Sequence, residues 1–322
     1  MPKIFNPDGT FDDVDHINFY LFNGPDIFVK SRSTPICPVP KMIAGNRPTD
    51  NGNLILSEDE KNYFVKKYPN AEKFIRICIG GKDFLHNEKR YCLWLVDATP
   101  DEINKNKFIY ERVKAVKEFR LKSSSAKTRK DSEIPHLFQK IVQPKENFLF
   151  IPQVSSERRE YIPIGFLSSE IISLDPNLII PDANLFHFGI LTSKVHMIWT
   201  KTVCGRLKSD YRYSAKIVYN NFVWMRVEFI DYAELIMAAE KILKVRKNYP
   251  DASLADLYDE ITMPKELRAA HRKVDKIVMK IYNYDESWSE EEIATDLLER
   301  YKFLIDYQAG KYPAEKNNFE EE

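Results

Sequence analysis

The sequence has few of the residue patterns on which metal sites and disulfide frameworks depend. Its four cysteines, at positions 37, 78, 92 and 204, are scattered, and neither a CxxC pair nor an HExxH motif occurs. His187 and His196 are nine residues apart, a spacing that does not bring them to one helix face. The pattern excludes the usual zinc sites and, with no signal-like N-terminus, predicts a reducing, cytoplasmic location.

Catalytic motifs and long apolar runs are missing as well. No apolar run approaches the length of about 18 residues that a membrane span needs, so no membrane partner is expected. A DNA methyltransferase site would need a glycine-rich cofactor loop and an Asn/Asp-Pro-Pro-aromatic tetrapeptide, but the chain has neither a GxG nor a Pro-Pro pair. We therefore expect no catalysis and no bound cofactor or metal in this chain. A self-contained nucleic-acid hydrolase, built on Asp26 with Asp59, Glu60 and Lys61, is a weak alternative because such short motifs recur by chance.

The charge balance conceals a strong asymmetry. The chain has 48 basic and 48 acidic residues, yet residues 105–130 hold ten Lys/Arg against two Glu. Residues 285–322 hold twelve acidic residues against four basic ones. A basic working surface and an acidic terminal segment would produce this distribution.

Hydrophobic patterning predicts an α+β domain followed by an all-α helical bundle. Length and 43% apolar content allow about two domains, placed here at residues 1–223 and 224–322, the second with a disordered acidic tail from about Lys316. Strands are predicted at 27–31, 90–96, 147–154, 161–167 and 178–180, with 155–160 as a tight hairpin connection. Helices are predicted at 57–68, from 109 through the following basic residues, after Asp182, and as four segments beyond Trp224.

The most specific stretch is GRLKSDYRYS, at 205–214. If this segment is extended, side chains alternate, so Lys208, Asp210 and Arg212 project together. Lysine can donate to the two acceptors of a guanine, and a carboxylate can accept from the N4 amine of the paired cytosine. The pattern predicts that these residues read DNA bases; the alternative is a surface ion pair between Lys208 and Asp210, worth under about 1 kcal/mol.

A second set of residues is expected to contact the DNA backbone or groove. The basic helix after residue 109 should expose its cations beside the loop of Ser123 to Ser125, although such runs are usually just solvated faces. Arg158 and Arg159, in the predicted 155–160 turn, could likewise contact DNA or simply be solvated. The expected contacts are Arg120, Lys122, Ser155, Ser156, Arg158, Arg159 and Arg206. Tyr211, Tyr213 and Tyr219 are predicted to pack behind the reading strand.

Several long blocks resemble the target recognition region of MmeI-like type IIL restriction-modification enzymes. The blocks are GNRPTDNGNLILS (45–57), RYCLWLVDATP (90–100), IYERVKAVKEFRLKSS (109–124), VSSERREYIPIGFLSS (154–169), FHFGILTS (186–193), VCGRLKSDYRYS (203–214) and VYNNF (218–222). SLADLYDEITMPKELRAAH (253–271) resembles the C-terminal helical domain of the same family. The resemblance covers nearly the whole chain.

The resemblance implies the role of one part of a larger enzyme. One polypeptide of this family joins a nuclease, an adenine-N6 DNA methyltransferase and a recognition domain, so S-adenosylmethionine and Mg²⁺ are expected in modules outside this chain. Residues 1–30 would then be the trailing edge of the methyltransferase domain. The positions that match Lys208 and Asp210 vary as a pair in the family, and the Lys/Asp form implies G at the last base of the site. Either a C-terminal fragment or a separately encoded specificity subunit that docks a catalytic chain fits this resemblance.

Overall fold

The first 130 residues contain short strands and helices, with no helix or strand between the described residues 14 and 42. The computed structural model describes residues 2–5 and 8–311. In chain order the first elements are β1 (Lys3–Phe5), β2 (Phe11–Asp13), β3 (Ile43–Ala44), β4 (Ile55–Leu56), α1 (Glu58–Lys67), β5 (Ile75–Ile79), α2 (Gly81–His86), β6 (Arg90–Leu93), α3 (Pro100–Lys105), α4 (Lys107–Leu121) and α5 (Ala126–Lys130). Short 3₁₀ helices occupy Pro69–Phe74 and Asp131–Glu133.

Strands continue as far as residue 212, and the chain is then helical. The elements are β7 (Phe148–Ile151), β8 (Val154–Ser155), β9 (Gly165–Leu167), β10 (Ile172–Ser173), β11 (Leu178–Ile180), α6 (Leu185–Leu191), α7 (Lys194–Val203), β12 (Gly205–Leu207), β13 (Asp210–Arg212), α8 (Phe229–Arg246), α9 (Leu254–Leu257), α10 (Lys265–Ile281) and α11 (Glu290–Gln308). A 3₁₀ helix lies at Tyr219–Asn221. The predicted fold class, α+β followed by all-α, is confirmed.

The strands form four small sheets. β1 pairs with β2; the two four-stranded sheets have the orders β10-β5-β6-β4 and β3-β11-β7-β9, and the fourth has the order β12-β13-β8. Every pair is antiparallel except β10 with β5. Strands of two to five residues give each sheet little stability of its own, so the sheets depend on the helices and loops packed against them.

Local sequence signals fix several helix starts. Ser57 and Ser289 cap α1 and α11 in full capping boxes with Glu60 and Glu292, as the Ser-x-x-Glu spacing predicts. Ser253 caps α9 in the same way. Each box satisfies backbone N–H groups that would otherwise lack a partner in the first helical turn.

The main hydrophobic core is continuous from the α+β part into the long helices. It includes Ile180 and Trp199 as well as Leu235, Val278 and Leu297. α6 lies close to α8 at Gly189, where an added Cβ atom would be 2.8 Å from Leu235 Cδ1. No break in this core marks residue 223, so the predicted domain boundary stays a prediction. A second core lies under β4, β5, β6 and α4, within residues 54–174.

Three local predictions are wrong. Residues 27–31 form no strand. The strand predicted at 147–154 is divided into β7, which pairs with β9, and β8, which pairs with β13, so 155–160 is not a tight hairpin. The helix predicted after Asp182 is two helices, because Ser193 accepts from His196 N–H and starts α7 anew. The predicted acidic tail from Lys316 lies outside the described residues. In the part that the structure describes, no helix has the length and apolarity needed to span a bilayer.

Candidate nucleic-acid interface

The stretch at 205–214 forms a hairpin. β12 and β13 pair with Gly205 opposite Arg212 and Leu207 opposite Asp210, which leaves Lys208 and Ser209 as a two-residue turn. The prediction of one extended segment is therefore wrong, because the chain reverses at Lys208. This lysine has a φ of 57°, an uncommon conformation for a residue with a Cβ, and positive φ at the first turn position is typical of tight hairpins.

The hairpin presents its polar side chains at the tip and on one face. Asp210 and Arg212 share a face of β13, whereas Tyr211 lies on the opposite face and is buried. Lys208 is exposed at the tip. Among the described residues, the side chains of Lys208 and Arg212 make no hydrogen bond or ion pair, and Lys208 does not pair with Asp210. The ion-pair alternative is thus absent from this structure.

β8 and the loop after it lie beside the hairpin. Ser155 stands opposite Tyr211, and Val154 stands opposite Arg212. The backbone N–H of Glu157 donates to Asp210 Oδ1 at 3.4 Å, and the Tyr211 hydroxyl donates to the Glu157 carbonyl at 3.5 Å. We call β8, β12 and β13 the recognition sheet. It brings Ser155, Ser156, Arg158 and Arg159, which are distant in sequence, next to the hairpin.

The arginines of this region differ in their freedom. The Arg206 guanidinium lies over the Tyr211 ring, 4.2 Å from its centroid, and donates to the Ser209 carbonyl at 3.1 Å. These contacts brace the turn, although the side chain is exposed. Arg159 is half-buried and donates to Ser155 Oγ at 3.4 Å, and its burial lowers the pKa of the guanidinium. Arg158 is exposed.

Buried aromatic side chains support the sheet from behind. Tyr211, Tyr213 and Tyr219 are all buried, as predicted. The Tyr213 hydroxyl lies 2.8 Å from His196 Nε2, and burial lowers the pKa of this histidine to about 3. A neutral imidazole nitrogen can accept a hydrogen bond from the hydroxyl, so the pair acts as a buried polar anchor for the end of the hairpin.

Arg120 is not on the surface, and the prediction that it is exposed to contact DNA is wrong. Its side chain is 0% exposed. The guanidinium donates to five backbone carbonyls at 2.7–3.2 Å, those of Pro48, Thr49, Asp131, Ile134 and Leu137. Val113, Val116 and Arg120 are spaced by three and four residues, so they share the buried face of α4. This spacing was the signal in the sequence that could have revealed its burial.

Several other cations of the basic run are exposed. We call Lys114, Lys117, Lys122, Lys127 and Lys130 the basic rim. Their amino groups make no ion pair or hydrogen bond within the described residues. Lys122 is the C-cap residue of α4, and α5 begins four residues later, so the rim continues from one helix to the next. Arg129 is tied back to the carbonyls of Ser123 and Ser124 at 2.8 Å.

Two family models match the chain. Residues 23–226 match the model described as MmeI, target recognition domain, and residues 232–307 match MmeI, C-terminal domain. The chain belongs to the MmeI family. The recognition sheet therefore lies within the part that matches the MmeI target recognition domain, and α8 to α11 supply nearly all of the part that matches the MmeI C-terminal domain.

Known proteins resemble this MmeI-family chain along most of its length. DNA methyltransferase A of Bacillus subtilis (strain 168) is 38% identical over 293 residues, which cover 91% of this chain and 33% of that protein. A solved structure of the Type IIL restriction-modification enzyme MmeI in complex with DNA superposes with a TM-score of 0.89 at 42% identity, covering 94% of this chain and 40% of the other. The chain thus spans less than half the length of either relative.

The residues suggested for a hydrolase are not assembled into a site. Asp26 Oδ1 lies 2.9 Å from His16 Nε2. Glu60 belongs to the capping box of α1 and pairs with Arg112. Asp59 and Lys61 lie in the first turn of α1, and no contact joins them to Asp26 among the described residues. Likewise, the described part of this MmeI-family chain contains no group of three or more His, Cys, Asp or Glu side chains able to hold a metal ion.

Proposed function

We propose that this chain recognises a specific double-stranded DNA sequence on behalf of an adenine-N6 DNA methyltransferase and restriction endonuclease of the MmeI type. One observation carries the proposal. Lys208 lies exposed and unpartnered among the described residues at the tip of a hairpin, two residues before the half-buried Asp210 carboxylate of the same hairpin. A two-stranded ribbon of this kind fits the major groove of B-DNA, where base edges are distinguishable.

The chemistry of the pair suits one G·C base pair. The Lys208 amino group donates to guanine O6 or N7, and the Asp210 carboxylate accepts from cytosine N4. A good base contact contributes about 1–3 kcal/mol of discrimination, which is a factor of roughly 5 to 150 in affinity. Arg212, on the same face of β13, is assigned to a neighbouring base. Its guanidinium is free to donate to a guanine.

Contacts to the DNA backbone are assigned to two places. Beside the hairpin they are Ser156, Arg158, Arg159 and Arg206. The prediction that Ser155 contacts DNA is wrong, because its side chain is 2% exposed and its hydroxyl accepts from Arg159. Away from the hairpin, Lys122 and the other members of the basic rim supply unpaired positive charge, which attracts phosphates without regard to sequence. Arg120 is excluded, because five carbonyls already use its donors. Backbone contacts set the register of the protein on DNA, and the hairpin reads the sequence.

The catalytic steps are assigned to modules other than this chain. S-adenosylmethionine and Mg²⁺ would act there, and the target adenine would be flipped into the methyltransferase module. The catalytic modules are either fused to residues 1–223 and 224–322 in one polypeptide or form a separate catalytic chain. A blot of the native protein distinguishes the two arrangements, because a separate subunit has the 37.8 kDa of this chain and a fused enzyme is much larger.

The test is selection of bound sequences from a randomised duplex pool at low salt. The protein is compared with the Lys208→Glu/Asp210→Arg variant, in which donor and acceptor exchange places. We expect one G·C position to become C·G in the selected sequences, while all other preferred positions persist. The matched control is Glu240→Lys/Lys244→Glu, which exchanges the charges of an exposed ion pair on α8 and should leave every preference unchanged.

Two results would contradict the assignment. If the exchanged variant selects the same sequences as the native protein, Lys208 and Asp210 do not read a base. If the native protein enriches no sequence either alone or together with the catalytic modules, the chain is not a sequence reader.

A further inference from the structure

The Asp210 carboxylate is held by a loop rather than by a neighbouring strand. This loop, residues 156–161, follows β8. Its Glu157 N–H donates to Asp210 Oδ1 at 3.4 Å, and its Glu157 carbonyl accepts from Tyr211 at 3.5 Å. Both bonds are at the long end of hydrogen-bond distances, so a small displacement of the loop breaks them. The position of the Glu157 backbone therefore influences where the carboxylate points.

The far end of the same loop is attached to helix α10. Glu160 accepts from Arg268 Nη1 at 2.5 Å and pairs with Arg272 Nη2 at 2.9 Å. The hydroxyl of Tyr161, the next residue, donates to Asp275 Oδ2 at 2.6 Å. Tyr161 is 2% exposed and its ring stacks on His271 at 4.1 Å. One helical face thus holds two consecutive residues of the loop through three polar side chains and a stacked ring.

α10 also holds the helix that leads into the hairpin. Asp275 Oδ1 accepts from the backbone N–H of Lys194, the first residue of α7, at 2.6 Å. α7 ends at Val203, only two residues before β12 begins, and the Lys201 carbonyl accepts from Arg206 at 3.5 Å. The carboxylate of Asp275 therefore connects the loop by which the chain leaves β8 with the helix that leads into β12.

The two ion pairs of Glu160 with Arg268 and Arg272 contribute more to geometry than to stability. Arg268 and Arg272 are 36% and 59% exposed, and partly exposed ion pairs of this kind stabilise a fold only slightly. Two guanidinium groups on one carboxylate nevertheless fix its position in more than one direction, since each donates along its own axis. We propose that Arg268, Arg272 and Asp275 are positioning residues for base reading, which fix the 156–161 loop and through it the Asp210 carboxylate.

This inference rests on the proposed function and gives the helical region a part in sequence specificity. A functional side chain needs a support that locks its orientation, and sites held by packing and secondary contacts discriminate best. The loop alone provides little support of this kind, because Ser156, Glu157 and Arg158 have few contacts within it. Helix α10, packed in the main core through Leu267, Val274 and Val278, provides a rigid base.

The experiment compares Arg268→Gln/Arg272→Gln with Lys276→Gln/Lys280→Gln. Both variants remove two paired cations from α10, but Lys276 and Lys280 pair with Glu286 and Asp231 and not with the loop. Affinity is measured for the selected duplex, for duplexes with each base pair replaced in turn, and for an unrelated duplex, together with the melting temperature. We expect discrimination at the base pair read by Asp210 to fall about fivefold or more in the arginine variant alone.

An Asp210→Asn background separates positioning from a general structural effect. If the arginines act through Asp210, removing them in that background causes no further loss of discrimination at this base pair, because the effects of coupled residues are not additive. Arg268→Lys/Arg272→Lys, which keeps the charges, should retain part of the discrimination. Unchanged discrimination, or an equal loss at every base pair, would overturn the inference. A native protein without any base preference would instead overturn the proposed function itself.

Discussion

Arginines and lysines of two cationic regions look alike in the sequence, but individual side chains differ in how they are engaged. In the basic run at 105–130, the arginine predicted to be exposed, Arg120, is enclosed and hydrogen-bonded to five carbonyls. In the hairpin at 205–212, Lys208 and Arg212 are exposed and make no polar side-chain contact within the described chain. Positive charge in a sequence therefore does not identify a DNA contact. We propose that free donors at an exposed position beside the recognition sheet mark such a contact.

The largest effect is expected from removing one buried and one exposed cation of the α4 region and comparing the free energies of unfolding. Arg120→Met leaves the carbonyls of Thr49 and Leu137 without a donor among the described residues, whereas those of Pro48, Asp131 and Ile134 keep a backbone N–H. Each unsatisfied group costs about 1–3 kcal/mol where water cannot replace the donor. We expect the free energy of unfolding to fall by about 3–5 kcal/mol. Lys122→Gln, two residues later and exposed, should change it by less than about 0.5 kcal/mol. Urea denaturation followed by circular dichroism measures both.

The outcome separates two roles for Arg120. A large loss of stability in the Arg120 variant, with sequence selectivity retained in the folded fraction, is expected of a structural arginine. A variant that keeps full stability but loses DNA affinity would mean that the guanidinium reaches DNA, and the contrast between the two regions would be broken.

Two carboxylates, Asp275 and Asp210, also differ in burial. The pH dependence of the free energy of unfolding tests this difference. Asp275 is buried, and this burial raises its pKa to about 6, against hydrogen bonds from Tyr161 and Lys194 that lower it. Asp210 is only half-buried in the recognition sheet. Because the folded pKa of Asp275 lies above the ordinary value of 3.8, the folded protein binds the proton more tightly than the unfolded chain between about pH 4 and 6. Its contribution to stability is thus present at low pH and is lost as pH rises through 6.

The expected effect is a pH-dependent difference in the free energy of unfolding between the native protein and Asp275→Asn. Relative to Asp275→Asn, the native protein should lose up to about 3 kcal/mol of stability as pH rises from about 4 to 7. Denaturation midpoints of both proteins at intervals of about one pH unit measure this difference. Asp210→Asn serves as the control for loss of a carboxylate at the recognition sheet. If the difference between Asp275→Asn and the native protein is constant with pH, the Asp275 carboxylate is not enclosed as described.

Much of the fold could be predicted because its signals are local. Capping boxes at Ser57, Ser253 and Ser289 depend on residues three apart, and the strand at 178–180 is a short apolar run with turn residues around it. The division of 147–154 between two sheets could not be predicted in this way. β8 leaves β7 because it pairs with β13, more than fifty residues later, and no local pattern records that choice.

The candidate site was predictable in its chemistry but not in its geometry. Donors and acceptors suited to bases could be recognised at 208 and 210 from residue type alone. Their arrangement on a turn could not, because Lys208 takes a positive φ that lysine rarely adopts. The support from Arg268, Arg272 and Asp275 was also missed, since these residues lie over a hundred positions from the loop that they hold.

The smallest expected effect concerns the basic rim. Lys122→Gln/Lys127→Gln/Lys130→Gln removes exposed, unpaired charges that we assign to phosphate contact. For every phosphate that the variant no longer neutralises, the slope of log K against log salt should become shallower by about 0.9, because fewer counterions are released on binding. Base preferences should stay the same, since these side chains do not read base edges. Binding measured at several salt concentrations gives the slope.

A matched variant tests whether the salt dependence of DNA binding depends on the position of the rim lysines or only on net charge. Three exposed lysines near the end of α8 can be changed to glutamine with the same reduction in charge: Lys241, Lys244 and Lys247. If the rim contacts phosphates, its variant lowers the slope and the α8 variant leaves it nearly unchanged, because exposed charges farther than about 10 Å from the phosphates are screened at about 0.1 M salt. Equal slopes for the two variants would mean that the rim is a solvated surface, and that free donors identify a DNA contact only where they lie beside the recognition sheet.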